Sequence, residues 1–423
     1  MTNLAPGSSL NQTTMHADEI HESSDLAGRA LGSFGGAIKD THLAISGRVF
    51  RRLGPTAAPV QVAHDAISAL AYGGVRTGLR HAPRGAGALA ALRAQPGASS
   101  LADSVGGALA LGALNAAAGD RLVAEGSTLA VPMQLRAGGH PVDADADALT
   151  RAYPDAANRV VVFVHGLAGN EDVWRLDPFG REGEERLVYG DLLRDELGVT
   201  PVYLRYNTGR RISDNGRDLA ALLEALVEHW PVRVDELAIV GHSMGGLVAR
   251  AACNVAARDA DAWLARTKHV VCLGSPHAGA PLERGANLLG HTLRAVPETR
   301  PWGEMVNARS VGIKDLRYGA VAEEDWDGHD PDEPLRDRRT VVLPPPGVTV
   351  HVVSACVTAD RDHPLGRIVG DVLVHERSAA GPRPAEALAT DPAHHRHLDG
   401  AHHWTLLSHP DVGAALCGWL GDA

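Results

Sequence analysis

The sequence predicts an α/β architecture: a mostly parallel sheet with helices on both faces, preceded by an N-terminal helical layer. Three observations carry that expectation. Short apolar runs, "RVVVFVHG", "VTPVYLRYN", "ELAIVGHS", "KHVVCLGS" and "GVTVHVVSACV", read as buried strands, and helical patterns such as "NGRDLAALLEALVEHW" lie between several of them. One of these strands runs through a glycine-flanked serine directly into a helical pattern, in "ELAIVGHSMGGLVAR". Before Gly126, by contrast, the apolar residues follow a helical period.

Taken in order, residues 1–25 are polar and read as a flexible tail. Residues 26–125 form the helical region. Ala27, Leu31, Phe34, Ile38, Ile45 and Val49 keep a 3.6-like period, and Val60, Ala63, Ile67, Leu70 and Ala71 begin a second helix after the Gly54-Pro55 break. "HAPRGAG" reads as a link to a third helical stretch, and "SLADSVGGALALGALNAAAGD" gives a fourth. No single face of this layer looks self-sufficient, so it is expected to rest against another surface. Residues 126–423 form the sheet-bearing domain. It opens with two short strands in "STLAVPMQLRAGGHPVD", turned at Gly138-Gly139, and it carries an insertion at about 281–345, too long for an ordinary connection.

Composition narrows the function. With 423 residues and 44% hydrophobic content the chain can bury a large core, and its net charge of −11 argues against general nucleic-acid binding. The charge is uneven: residues 39–94 hold eight basic residues against Asp40 and Asp65, a local balance of +6. Such a patch suits an anionic membrane surface or the chain's own acidic part, and a solvated helix face accounts for it equally well. Cys253, Cys272, Cys356 and Cys417 lack metal or disulfide-framework spacing and read as buried free thiols. No signal sequence and no run of about 18 apolar residues is seen. A cytoplasmic protein is expected, with peripheral membrane contact through the N-terminal helices left open and the oligomeric state unset.

The chemistry starts at Gly241-His242-Ser243-Met244-Gly245, a G-x-S-x-G motif in its strand-turn-helix context. A nucleophile on so sharp a turn needs glycine neighbours, and the Met244 N–H at the helix start faces any developing oxyanion. The bland alternative is an incidental serine in a glycine-rich turn. "VVVFVHGLAGN" places His165-Gly166-Leu167 at another strand end, with the Leu167 N–H as second oxyanion donor and His165 as a structural hydrogen-bonder. An acid and a histidine follow the last clear strand, so that Ser243, Asp371 and His403 fall in the chain order used by α/β-hydrolases. The histidines of "HHRHLDGAHHW" (His394, His395, His397, His402, His403) invite a metal reading instead, but they lack H-E-x-x-H spacing and read as a surface loop.

"FVHGL", "GHSMGG", "GSPHAG", "GDVLV" and "HHWTLLSHP" together make the region from about residue 127 onward resemble a lipase-type α/β-hydrolase, similar to bacterial true lipases and to the glycosylphosphatidylinositol inositol-deacylase family. The resemblance implies the α/β-hydrolase fold, a Ser243–His403–Asp371 triad, no cofactor or metal, and an insertion serving as a cap or lid over an acyl pocket. Val372 stands where the family has glycine, and His402 where it has asparagine. Asp360 and Asp362 compete as the acid, and His402 as the base. The implied reaction is hydrolysis of carboxylic esters of lipid or acyl-chain type, covering small acyl esters, triacylglycerols and lipid-linked inositols. A transacylase using the same triad and a non-catalytic lipid-binding relative are the alternatives.

Overall fold

The computed structural model describes residues 16–92, 100–175, 186–334, 336–358, 371, 374, 378, 388 and 391–421. It divides into two compact units, Met1–Ala108 and Leu109–Ala423.

In the first unit, α1 (Ala17–Leu53) and α2 (Ala58–Ala91) lie side by side. The first helix begins at Ala17, inside the stretch read as a tail, and Glu19 explains why that end is held. Its carboxylate accepts from the Ser100 hydroxyl at 2.6 Å and the Leu101 N–H at 2.9 Å. The helices meet along Gly28, Gly32 and Gly35, spaced to share one face of α1. A Cβ on Gly28 would collide with the Arg80 carbonyl oxygen, and one on Gly35 would lie 3.2 Å from Leu79. Small residues thus form the seam, while Leu31, Phe34, Ile38, Ile45 and Val49, the stripe legible in the sequence, are exposed. The expected link at "HAPRGAG" does not exist: α2 runs through Pro83. Proline forgoes a backbone hydrogen bond there, but the close approach of Arg80 to Gly28 before it and the Arg84–Asp25 ion pair after it hold both sides against α1.

The second unit is built on an eight-stranded sheet in the order β2-β1-β4-β3-β5-β6-β7-β8. Its strands are β1 (Gln134–Ala137), β2 (His140–Val142), β3 (Arg159–Val164), β4 (Thr200–Arg205), β5 (Glu236–His242), β6 (Thr267–Leu273), β7 (Thr349–Cys356) and β8 (His395–Asp399). The β1–β2 and β1–β4 pairs are antiparallel and every other pair is parallel. The β1–β2 turn falls on Gly138 and Gly139, both at positive φ. The eighth strand corrects the reading of "HHRHLDGAHHW" as loop. A polar edge strand shows its alternation in hydrogen bonding rather than in hydrophobicity, so the apolar pattern missed it.

Among the described residues, the α-helices of this unit are α3 (Val105–Ala124, which spans the division), α4 (Ala146–Ala152), α5 (Tyr189–Leu197), α6 (Ile212–His229), α7 (Met244–Asp259), α8 (Ala262–Arg266), α9 (Pro281–Arg294), α10 (Arg300–Asn307), α11 (Val311–Asp315) and α12 (Pro410–Gly421). The alternation of β3 sorts them. Val160, Val162 and Val164 pack under α6, α7 and α8, whereas Val161 and Phe163 pack under α5 and α12. Both faces are therefore covered, and the fold is that of an α/β-hydrolase. Helices α9 to α11 fill the insertion between β6 and β7. Among the described residues no helix is long and apolar enough to cross a membrane.

One buried charge cluster fixes the sheet edge to the loop after β3. Glu171 accepts from Arg136 Nε on β1 at 2.9 Å and from Arg205 on β4 at 2.7 and 2.6 Å, all three residues being buried. Burial works to raise the Glu171 carboxyl, yet the hydrogen bonds and charge of Arg205, with Arg136, hold it below its ordinary range. Removing it takes away the one carboxylate that these two buried guanidinium groups share. We expect Glu171→Ala to cost about 3–5 kcal/mol, measured by urea unfolding. A loss within the range of exposed ion pairs would show that water reaches the cluster.

Candidate active site

The site gathers beyond the carboxyl ends of β3, β5, β6, β7 and β8, where a parallel sheet leaves its crevice. Ser243 joins β5 to α7 at φ 54° and ψ −121°, backbone that a residue with a side chain rarely adopts. The surroundings explain how it is held. A Cβ on Gly241 would sit 2.5 Å from the Gly246 nitrogen, and one on Gly245 would collide with the Val164 carbonyl oxygen. Strand, turn and helix therefore close on each other at glycines alone. Ser243 is half-buried, while the residues around it are buried.

Met244 is the first residue of α7, so its N–H is one of the donors that a helix start leaves without an intrahelical acceptor. The loop after β3 passes directly against the serine: a Cβ on Gly166 would lie 2.9 Å from Ser243 Cβ. Leu167 follows, half-buried against the core, and then Ala168 at φ 60°, whose N–H donates to the Thr208 hydroxyl at 3.2 Å.

His403 and Asp371, 32 residues apart in sequence, are brought together and buried, at 2% and 1% exposure. His403 Nδ1 lies 2.7 Å from Asp371 Oδ2, and Asp371 Oδ1 accepts from the Val374 N–H at 2.7 Å. Backbone bonds repeat the pairing, from His403 N–H to Asp371 O and from Asp371 N–H to Val374 O, each at 3.1 Å. His403 Nε2 is buried with no hydrogen-bond partner among the described residues. The imidazole rests on Gly274, at φ 61°, where a Cβ would come within 3.1 Å of the ring. Gly274 adjoins Leu273, whose carbonyl oxygen accepts from the Ser243 N–H at 2.8 Å. The structure records no hydrogen bond between Ser243 and His403. In ligand-free sites that contact is often long and tightens with substrate.

His402, the competing base, is half-buried, and its Nδ1 accepts from the Thr405 N–H at 3.3 Å. Asp360 and Asp362 lie outside the described residues, as do Val372 and Leu373. Sequence reading gave no role to His242, which the structure places against the site. Its Nε2 lies 3.2 Å from the His403 carbonyl oxygen, and the two rings are 4.6 Å apart. Its position inside G-x-S-x-G was visible, but the carbonyl it reaches comes from 161 residues away.

His165 is fully buried. Its Nδ1 lies 2.9 Å from the Gly166 carbonyl oxygen and its Nε2 accepts from the Tyr206 N–H at 3.2 Å, which makes it a neutral hydrogen-bonder. Burial pushes it down to about 4, and burial likewise holds His242 and His277 well below the usual histidine range. A cavity of about 420 Å³ lies elsewhere, bordered by Arg136, Tyr153, Glu171 and Tyr203; neither Ser243 nor His403 lines it.

The sequence profile of the PGAP1-like alpha/beta domain family matches residues 155–331. No curated protein matches the chain. Among solved structures it is similar to the Bacillus licheniformis lipase BlEst2 in propeptide form, at 16% identity and a TM-score of 0.37, over 66% of this chain and 51% of the lipase. The Pyrococcus furiosus esterase PF2001 gives 16% identity and a TM-score of 0.33, over 63% of this chain and 83% of the esterase. The RedJ thioesterase of the prodiginine pathway of Streptomyces coelicolor gives 19% and 0.33, over 64% and 92%.

The buried histidines set an acid limit. A histidine that titrates near 6.5 when unfolded and at about 4 when folded leaves the unfolded chain holding more protons between those values. Stability therefore falls as the pH drops through that window. For His165 the contribution lost is on the order of 3 kcal/mol. Urea unfolding at stepwise lower pH is expected to show midpoints dropping from near pH 6.5 downward. A profile flat to pH 4.5 would mean that His165 is protonated in the folded chain.

Proposed function

We propose that this chain, whose residues 155–331 match the PGAP1-like alpha/beta domain, is a serine hydrolase of carboxylic esters. The observation that carries the reading is the buried 2.7 Å contact between His403 and Asp371, beside a serine held in a strand-to-helix turn. His403 Nε2 takes the Ser243 proton as the hydroxyl attacks the ester carbonyl, and returns it to the departing alcohol. Asp371 fixes the Nδ1–H tautomer and stabilises the imidazolium. The Leu167 and Met244 N–H groups bind the oxyanion, each worth about 10² to 10³ in rate. Water then repeats the attack on the acyl-enzyme.

A lipid or long-acyl substrate is supported by the inverted polarity of α9. Glu283 and Asn287 are buried, while Leu282, Leu288 and Leu289 are exposed. Glu283 is held by Arg309 at 2.8 Å and Arg317 at 3.1 Å, and Asn287 donates to the Asp332 carbonyl at 3.2 Å, so the charged side of the helix is its inward side. An insertion that turns leucines to solvent suits contact with an apolar aggregate. The exposed stripe on α1 and the basic residues of α2 support peripheral contact with an anionic membrane in the same way.

The decisive measurements use p-nitrophenyl esters of increasing chain length. Ser243→Ala is expected to abolish turnover in a folded protein, and a serine-directed phosphonate to label Ser243 alone. Asp371→Asn is expected to lower kcat by up to about 10⁴, with circular dichroism unchanged. Retained activity in Asp371→Asn alongside collapse in Asp360→Asn or Asp362→Asn would move the acid upstream. Phosphonate labelling at another residue would overturn the whole assignment.

For the lipid reading, activity is expected to rise as the substrate passes its solubility limit, and Leu289→Gln to blunt that rise while leaving turnover of a soluble short ester intact. Equal rates on either side of the limit would favour small soluble esters.

A further inference from the structure

The segment "HHRHLDG", read from sequence as loop, is in fact β8, and its alternation has a chemical result. His395, His397 and Asp399 share one face, and their partners across the parallel ladder are Val352, Ser354 and Cys356. At the carboxyl end of this pair, Cys356 Sγ lies 3.5 Å from Asp399 Oδ1, and His397 Nε2 lies 3.4 Å from the same oxygen. One ligand atom from each of the three residues falls within 4.8 Å of the others.

Those separations are the ones a zinc ion asks for. With Zn–S about 2.3 Å and Zn–N and Zn–O about 2.0–2.1 Å, tetrahedral geometry sets sulfur and oxygen about 3.5 Å apart and nitrogen and oxygen about 3.3 Å apart. The imidazole is also aimed from behind. His397 Nδ1 lies 2.8 Å from the Ser354 hydroxyl, which fixes the ring with Nε2 turned toward the thiol and carboxylate. The thiol donates to the Thr358 carbonyl oxygen at 3.2 Å, and water can fill the fourth place on the ion.

We propose that Cys356, His397 and Asp399 form a structural site for a divalent transition metal of the zinc type. Thiolate and imidazole select such an ion over calcium or magnesium. Binding replaces the thiol proton with the metal and releases that proton to solvent. The ion ties the end of β7 to the end of β8. His403 follows four residues after Asp399, and the backbone between them is already tied back, by the Gly400 N–H to Thr358 O and the Ala401 N–H to Cys356 O, each at 2.9 Å. The metal thus steadies the strand end from which the histidine loop departs, without touching a reacting atom.

The test uses the full-length chain, stripped with a chelator and titrated with cobalt(II) and with zinc. We expect one equivalent of metal, a near-ultraviolet thiolate-to-cobalt charge-transfer band, and a higher melting temperature with zinc. Cys356→Ser is expected to remove the band and the thermal shift. Asp399→Asn, at an exposed position, is expected to weaken binding in a protein that folds whatever the fate of the cysteine variant. Ser354→Ala is expected to weaken affinity by about 10- to 100-fold by releasing the ring. Ser243→Ala is expected to bind metal as the unaltered chain does, which separates this outcome from that of the proposed reaction. Cobalt bound without a thiolate band, zinc retained undiminished by Cys356→Ser, or no binding at micromolar metal would overturn the proposal, the first two by assigning the metal to surface histidines.

Discussion

The turn at Ser243 is the constraint on which the rest of the second unit depends. Backbone at φ 54° in a residue with a Cβ costs about 1–3 kcal/mol and persists only when its surroundings leave no other course. Three contacts impose it. The end of β5 closes on the start of α7 at Gly241 and Gly246, α7 closes on β3 at Gly245, and the Ser243 N–H is held by the Leu273 carbonyl of β6. Each of these contacts also sets a wall of the crevice, so the position of the serine and the positions of its neighbours are one geometric fact.

Around that turn the molecule buries polar groups in an ordered way. Neutral histidines serve as rigid connectors: His165 ties the loop after β3 to Tyr206, and His242 reaches the His403 carbonyl. Carboxylates serve as anchors. Glu171 holds the sheet edge, Glu283 holds α9 with its charged side inward, and Asp371 is gripped by the Val374 N–H while facing His403. In each case a side chain that would be costly alone is matched by hydrogen-bond or charge partners. The same logic makes α9 expose its leucines: the arginines that satisfy Glu283 lie inward, so the apolar side has to face out.

The first unit shows what helical periodicity leaves undecided. The stripe of Leu31, Phe34, Ile38, Ile45 and Val49 is real, and it predicts an α-helix correctly. It does not predict the partner face, because α1 meets α2 through glycines, which permit close backbone approach and carry no hydrophobic signal. The run of α2 through Pro83 has a similar origin, since local propensity is overridden by contacts on either side of the proline.

By itself the sequence determined the α/β class, seven of the strands and the serine turn. Each of those rests on local information: a buried run, a glycine next to a sharp bend, a polar residue at a strand end. Only the tertiary structure decided which distant groups meet. It brought Asp371 to His403 across 32 residues, set His242 against the histidine loop, turned α9 inside out, and made a strand of the polar segment that places His397 and Asp399 beside Cys356. The physical reason is common to all four. Hydrogen bonds and ion pairs between remote residues have no period along the chain, so they become visible only when the chain has folded back on itself.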